Sequence, residues 1–226
     1  MVSAKYWPHP RAKPKRINGQ SMTKYILTLW LGLAPLLSLA QAASDVDDLL
    51  ASLAPIKHLQ GSFSQQQYGQ DNLLLAESSG KFRLLRPGYF AWEIRSPDSQ
   101  LIIAGPEFIW HYDRDLETVT RRPVTSNAEM TPLQILGGDE VALREKFEVV
   151  HKAEGEFLLT PRSADVGFKR LTLYMNKTQL TGMDIQDNLD QSVVIKFADL
   201  DSLSNLSSAD FTFTPPAGAD LFYYDE

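Results

Sequence analysis

The side chains here with the chemistry of acids, bases or metal ligands are four histidines, His9, His58, His111 and His151, and a few paired carboxylates. Their spacing does not assemble a reaction centre. Asp199 with Asp201, and Asp187 with Asp190, fall in or beside turns, where paired carboxylates are ordinarily solvated. No His-x-x-x-His pair, nucleophile elbow or Gly-rich phosphate loop occurs. His111 stands between Trp110 and Tyr112 and should face away from them on a strand, while His58 and His151 have no evident partner. Cysteine is absent, which excludes disulfides, thiolate catalysis, Cys-ligated zinc and a Cys-linked lipid. The sequence therefore disfavours an enzyme and calls for no cofactor.

One charged residue stands out by position. In Gly80 to Pro97, two runs of alternating pattern flank a tight Arg86-Pro87-Gly88. Phe82 and Leu84 share one parity before it; Phe90, Trp92 and Ile94 share one parity after it. A period of two puts each set on one face of a strand, and the Pro-Gly step predicts a turn between them. Arg86 has the parity of Phe82 and Leu84, so it points to the apolar side at its rim. An inward arginine needs acceptors, because a buried unpaired charge is expensive.

Strand-like runs at 61–68, 73–86, 89–95, 100–104, 108–112 and 117–123 are followed, after two short helices, by runs at 147–153, 156–160, 168–175, 180–187 and 191–200. A last strand is expected near Phe211–Thr214. An N-terminal helix carries Val46, Leu49, Leu50 and Leu53 at helical spacing behind Ser44 and Asp47, and stops at Pro55. Thr131-Pro132 opens a second, with Leu133 and Leu136 on it and Gly137-Gly138 as its stop; Asp139 caps a third to about Lys146. The total is about eleven strands and three short helices. Short connections favour antiparallel order, and such a sheet curls into an open or closed barrel. The predicted fold is mainly β: a single antiparallel sheet curled into a half-barrel, with the helices as a lid. One face gathers Phe82, Leu84, Phe90, Trp92, Ile94, Phe108 or Ile109, Trp110, Leu171, Leu173, Val193, Ile195 and Phe197. A hollow under the lid and a filled core fit this pattern equally.

The chain of 226 residues, 43% hydrophobic and 10% aromatic, suits one domain with a sizeable core. Residues 1–42 hold six of the 22 basic side chains and no acid, so the rest carries 16 basic against 28 acidic groups, a net of −12. Such a body disfavours nucleic-acid binding. Residues 1–21 read as an unstructured basic leader ahead of a second start at Met22. Residues 22–42 read as a signal peptide: Lys24, an apolar run to Leu39, then Ala40-Gln41-Ala42. Cleavage after Ala42 would leave 43–226 as the folded domain outside the cytoplasm, in a bacterial periplasm.

Phe63-x-Gln65, Arg86-Pro87-x-x-Phe90-x-Trp92, Trp110-x-Tyr112-Asp113, Thr131-Pro132, Phe157-x-Leu159-Thr160-Pro161 and Phe211-Thr212-Phe213-Thr214-Pro215-Pro216-x-Gly218, in this order, resemble the outer-membrane lipoprotein carrier family, LolA. The related outer-membrane receptor, LolB, is itself a lipoprotein, and the missing cysteine speaks against it. The resemblance implies a monomeric periplasmic chaperone, not an enzyme. It would take acylated lipoproteins from an ATP-driven inner-membrane release complex and pass them to an outer-membrane receptor. It implies an unclosed barrel whose lid is held by hydrogen bonds from Arg86 to lid backbone, with Leu133 and Leu136 on the lid and Phe90 touching the release complex. Phe82, Leu84, Phe90, Trp92, Ile94 and Trp110 are then expected to line the acyl-binding face. The ending Leu221–Glu226 is short and acidic where many members run on. The alternative is a periplasmic half-barrel that senses lipid or binds a partner without carrying cargo.

Overall fold

A computed structural model describes residues 45–124, 135–137, 139–163 and 166–224. The leader, the signal segment, Ser44, Thr131, Pro132 and Leu133 lie outside the described residues. The chain runs helix α1 (45–53), β1 (His58–Tyr68), β2 (Leu74–Leu85), β3 (Tyr89–Ser96), β4 (Gln100–Ala104), β5 (Phe108–Asp113) and β6 (Thr118–Pro123). A helical turn at 135–136 follows, then α2 (Glu140–Lys146), β7 (Phe147–Ala153), β8 (Glu156–Pro161), β9 (Phe168–Asn176), β10 (Gln179–Asp187) and β11 (Ser192–Asp201). A 3-10 turn at Ser208–Phe211 and β12 (Asp220–Tyr223) complete it.

All twelve strands form one sheet in the order β12-β6-β5-β4-β3-β2-β1-β11-β10-β9-β8-β7. Its two end strands do not pair with each other, so the barrel is unclosed. Every neighbour is antiparallel except β12, which runs parallel to β6 from Asp220 opposite Thr118 to Tyr223 opposite Arg121. This corrects the expected last strand. Phe211 ends a 3-10 turn and 212–214 are irregular, because Phe211 and Phe213 lie across the sheet instead of pairing along it. The final strand comes nine residues later, in the acidic ending.

The register fixes two faces. Leu59, Leu84, Phe90, Ala104 and Ile109 form one cross-strand row, and Phe82, Trp92, Ile102 and His111 the next. On the other half of the sheet, Ile195, Met183, Leu173 and Phe157 form a further row. These side chains form the concave face. Gly80 sits between Phe63 on β1 and Ile94 on β3. A Cβ there would lie 1.8 Å from the Glu93 carbonyl oxygen and 3.0 Å from Phe63 Cε1, so only glycine lets the strands close and the Phe63 ring lie flat.

The helical pieces cover this face. Leu49 and Leu53 of α1, Ile135 and Leu136 of the helical turn, and Leu143 of α2 are fully buried, in one cluster with Phe63, Phe82, Phe90 and Trp92. Helix α2 starts at Asp139, whose Oδ1 accepts from the Ala142 N–H at 2.9 Å. On the outside, Arg144 bridges Asp47 of α1 at 2.7 Å and Glu140 at 3.1 Å, and His151 Nδ1 lies 3.5 Å from Asp48. Exposed pairs of this kind stabilise little, so burial holds the lid down.

Candidate functional site

Trp92 is the centre of the concave face. Its ring stacks on Phe63 with centroids 3.6 Å apart and on Phe90 at 5.9 Å; Phe82 lies at 6.1 Å and Phe197 meets it edge-on at 6.3 Å. Leu84 is buried beside them and Ile94 is half-buried against the same cluster. Period two, applied on both sides of the Arg-Pro-Gly turn, thus brings Phe82, Leu84, Phe90, Trp92 and Ile94 together. Phe63 joins them from β1, where it is a lone aromatic in the run Ser-Phe-Ser-Gln-Gln-Gln. The sequence signal for it is its place two residues before Gln65 in the matched motif.

Trp110 does not belong to this face. In register, Ile102 of β4 opposes His111, so Trp110 falls opposite Ile103 on the convex side. There the C-terminal segment covers it: Phe213 lies 5.5 Å and Tyr223 6.3 Å from its ring. Tyr112 also meets Phe213, and Tyr89 meets Phe211. The Arg121 guanidinium sits over Phe108 and Tyr223 at 4.5 and 4.4 Å. Of the alternatives Phe108 and Ile109, the concave one is Ile109, which packs against the core. His111 faces inward, 3.2 Å from Gln100 Oε1, and burial holds its pKa below the ordinary imidazole value.

Arg86 clasps the lid. Its Nε donates to the Leu136 carbonyl at 2.9 Å and its Nη1 to the Leu53 carbonyl at 3.0 Å. The same turn adds backbone bonds: Arg86 N–H to Lys57 O at 2.8 Å, and Gly88 N–H to Gly137 O at 3.2 Å. Gly88 makes this reach with φ +82, the region that favours glycine. One short turn therefore holds two lid pieces, α1 and the helical turn, over the aromatic cluster. Burial pulls the guanidinium down to about 10, and its two acceptors are neutral carbonyls. Such bonds can be exchanged for others without stranding a paired carboxylate.

With this clasp closed, lid side chains fill the concave face. A cleft of about 390 Å³, lined by Lys81, Arg83, Glu93, Arg95 and others, opens on the convex side instead. Its carboxylates are already engaged: Glu93 is joined to Arg95 at 2.6 Å and Arg114 at 3.0 Å, and Asp199 and Asp201 accept from Ser62 and Gln60. Among the described residues, no group of three or more His, Asp or Glu side chains is placed to hold a metal ion. What the concave side can do is exchange hydrocarbon: lid side chains out, another apolar body in.

The model of the family described as outer membrane lipoprotein carrier protein LolA matches residues 54–214. An outer-membrane lipoprotein carrier protein of Alkalilimnicola ehrlichii is 32% identical over 196 residues, covering 87% of this chain and 92% of its own. One of Azotobacter vinelandii is 34% identical over 189 residues, covering 82% and 91%. A solved LolA superfamily protein of Nitrosomonas europaea aligns at a TM-score of 0.47 and 13% identity, over 76% of this chain and 98% of its own.

Proposed function

The chain belongs to the outer-membrane lipoprotein carrier family, LolA, and from that premise we propose that it is a periplasmic chaperone that shields the acyl chains of lipoproteins in transit. One observation carries the reading. A continuous apolar face, centred on Trp92, is covered by separate lid pieces that a single arginine ties down through neutral carbonyls. An acyl chain returns about 0.8 kcal/mol per buried CH₂, so one with about 15 methylenes is worth about 12 kcal/mol. Opening forfeits two charge-assisted hydrogen bonds, about 1.5–3 kcal/mol each, and the burial of Leu53, Ile135 and Leu136 at about 1.5–3 kcal/mol apiece. The two sums are of the same order. Loading and release then need no ATP at this protein; differential affinity for the open and closed forms suffices.

Cargo is taken from an inner-membrane release complex, with Phe90 near the point of contact, and passed to an outer-membrane receptor. Residues 22–42 direct export, and the mature chain starts at Ala43, which its intact mass checks. The reading is of a carrier, not an enzyme, and the relatives' names disfavour a module without carrier activity. A fluorescent apolar probe should bind the mature protein stoichiometrically and be displaced by a triacylated peptide. A well-folded protein that takes up no displaceable probe refutes the proposal.

A further inference from the structure

Arg86 uses only part of its fork. Nε and Nη1 are engaged, but Nη2 is buried and has no hydrogen-bond partner among the described residues. An arginine has five N–H donors in fixed geometry, and a buried donor left unpaired is costly enough to demand an explanation. The cost grows when acyl chains take the place of the lid. The Leu53 and Leu136 carbonyls leave with α1 and the helical turn, and the guanidinium stays on the sheet, beside Phe82 and Leu84, with its donors turned to hydrocarbon.

We infer that Arg86 is a cargo-binding residue, whose guanidinium donates to the acyl carbonyls where the cargo's chains join their head group. The inference rests on the carrier reading above. An acyl chain has an acceptor at one end only, its ester or amide carbonyl. Arg86 follows Phe82 and Leu84 in parity and stands in the turn just past the end of β2, the strand that carries them. A chain lying along that strand, methyl end toward Trp92 and Phe63, brings its carbonyl to the guanidinium. Cargo carbonyls then replace lid carbonyls on the same donors, and Nη2 gains the partner it lacks. Lid and cargo head compete for one arginine. Loading holds the clasp open, and recapture of Arg86 by Leu53 and Leu136 helps expel the head group at handover.

The test compares two synthetic S-glyceryl lipopeptides of equal chain length, one with two ester-linked chains and one with two ether-linked chains. The wild-type protein should bind the diester about tenfold more tightly, the equivalent of about 1.4 kcal/mol. Arg86→Leu should bring the ratio to about one, and Arg86→Lys should keep part of it. With ¹³C-labelled esters, the bound carbonyl stretch should shift to lower frequency in wild type and not in Arg86→Leu. A wild-type ratio near one with no carbonyl shift overturns the inference while leaving the carrier reading intact. Failure of both lipopeptides to bind overturns both.

Discussion

Leu136 is the position at which the lid's apolar role can be tested against its backbone role, because its carbonyl serves Arg86 while its side chain, 2% exposed, serves the cluster. Leu136→Glu keeps the carbonyl and replaces the side chain. In the closed form the introduced carboxylate must be protonated. From an ordinary pKa of about 4.3, that costs about 3.7 kcal/mol at pH 7, with about 1.5–3 kcal/mol of leucine burial lost besides. Freeing the helical turn instead costs the burial of Ile135, about 1.5–3 kcal/mol, and one charge-assisted hydrogen bond of about 1.5–3 kcal/mol. The two routes are close, so the turn opens locally and the sheet survives. The loaded form suffers in the same way, because the lid would then set a charge over hydrocarbon. Displaceable binding of a triacylated peptide should weaken about ten- to hundredfold at pH 7.5. The loaded form, with this side chain over hydrocarbon, holds the extra proton, so affinity should recover as pH falls toward 5. Leu136→Gln should be weak at both pH values. Wild-type affinity at pH 7.5 in a folded Leu136→Glu protein would show that this side chain does not cover the bound chains.

Three further outcomes follow from the same geometry. Arg86→Leu removes the lid's means of recapturing the clasp and adds apolar contact, so cargo should load but pass slowly to receptor-bearing vesicles; transfer at the wild-type rate would leave Arg86 a structural residue only. Gly80→Ala drives a methyl into the Glu93 carbonyl and the Phe63 ring, and should cost about 1–3 kcal/mol in urea unfolding. An unchanged midpoint would mean that β2 and β3 part there without penalty. His111, held below the ordinary 6.5 by its burial, binds a proton more readily when unfolded, so its contribution is present above pH 6.5 and lost as pH falls through the depressed folded value. Wild type should thus lose stability on acidification from about pH 7 to 5 more steeply than His111→Gln; equal slopes would place the acid sensitivity elsewhere.

The hairpin around Arg86 was legible because two signals agreed there. Alternation set the face on both sides, and the Pro-Gly turn set the register, so Phe82 and Leu84 had to meet Phe90 and Trp92. The inward arginine was legible for the same reason, but its acceptors were not. The Leu53 and Leu136 carbonyls carry no mark in the sequence, since every residue has one. Trp110 shows what alternation alone leaves open. It separates Phe108, Trp110 and Tyr112 from Ile109 and His111, but does not say which set faces in. The richer aromatic set invites the concave assignment, yet register across β4 turns it outward.

That outward placement has a physical logic that the composition of the C-terminal segment carries. Phe211, Phe213 and Tyr223 need an apolar surface, and Trp110, Tyr112 and Tyr89 supply it on the convex side. The contact is between fixed partners, so rigid rings with preferred mutual geometry suit it. In the proposed carrier role, the concave face accepts two different coverings, its own lid and a set of acyl chains. Around the Trp92 cluster it is lined by leucine, isoleucine and two methionines, Met175 and Met183, whose flexible chains adapt to irregular apolar neighbours. A sheet with two apolar sides can therefore dedicate one to permanent packing and the other to exchange. In the carrier proposed above, the inner side exchanges because its covering is tied by a guanidinium to neutral carbonyls, which any other carbonyl of suitable position can replace.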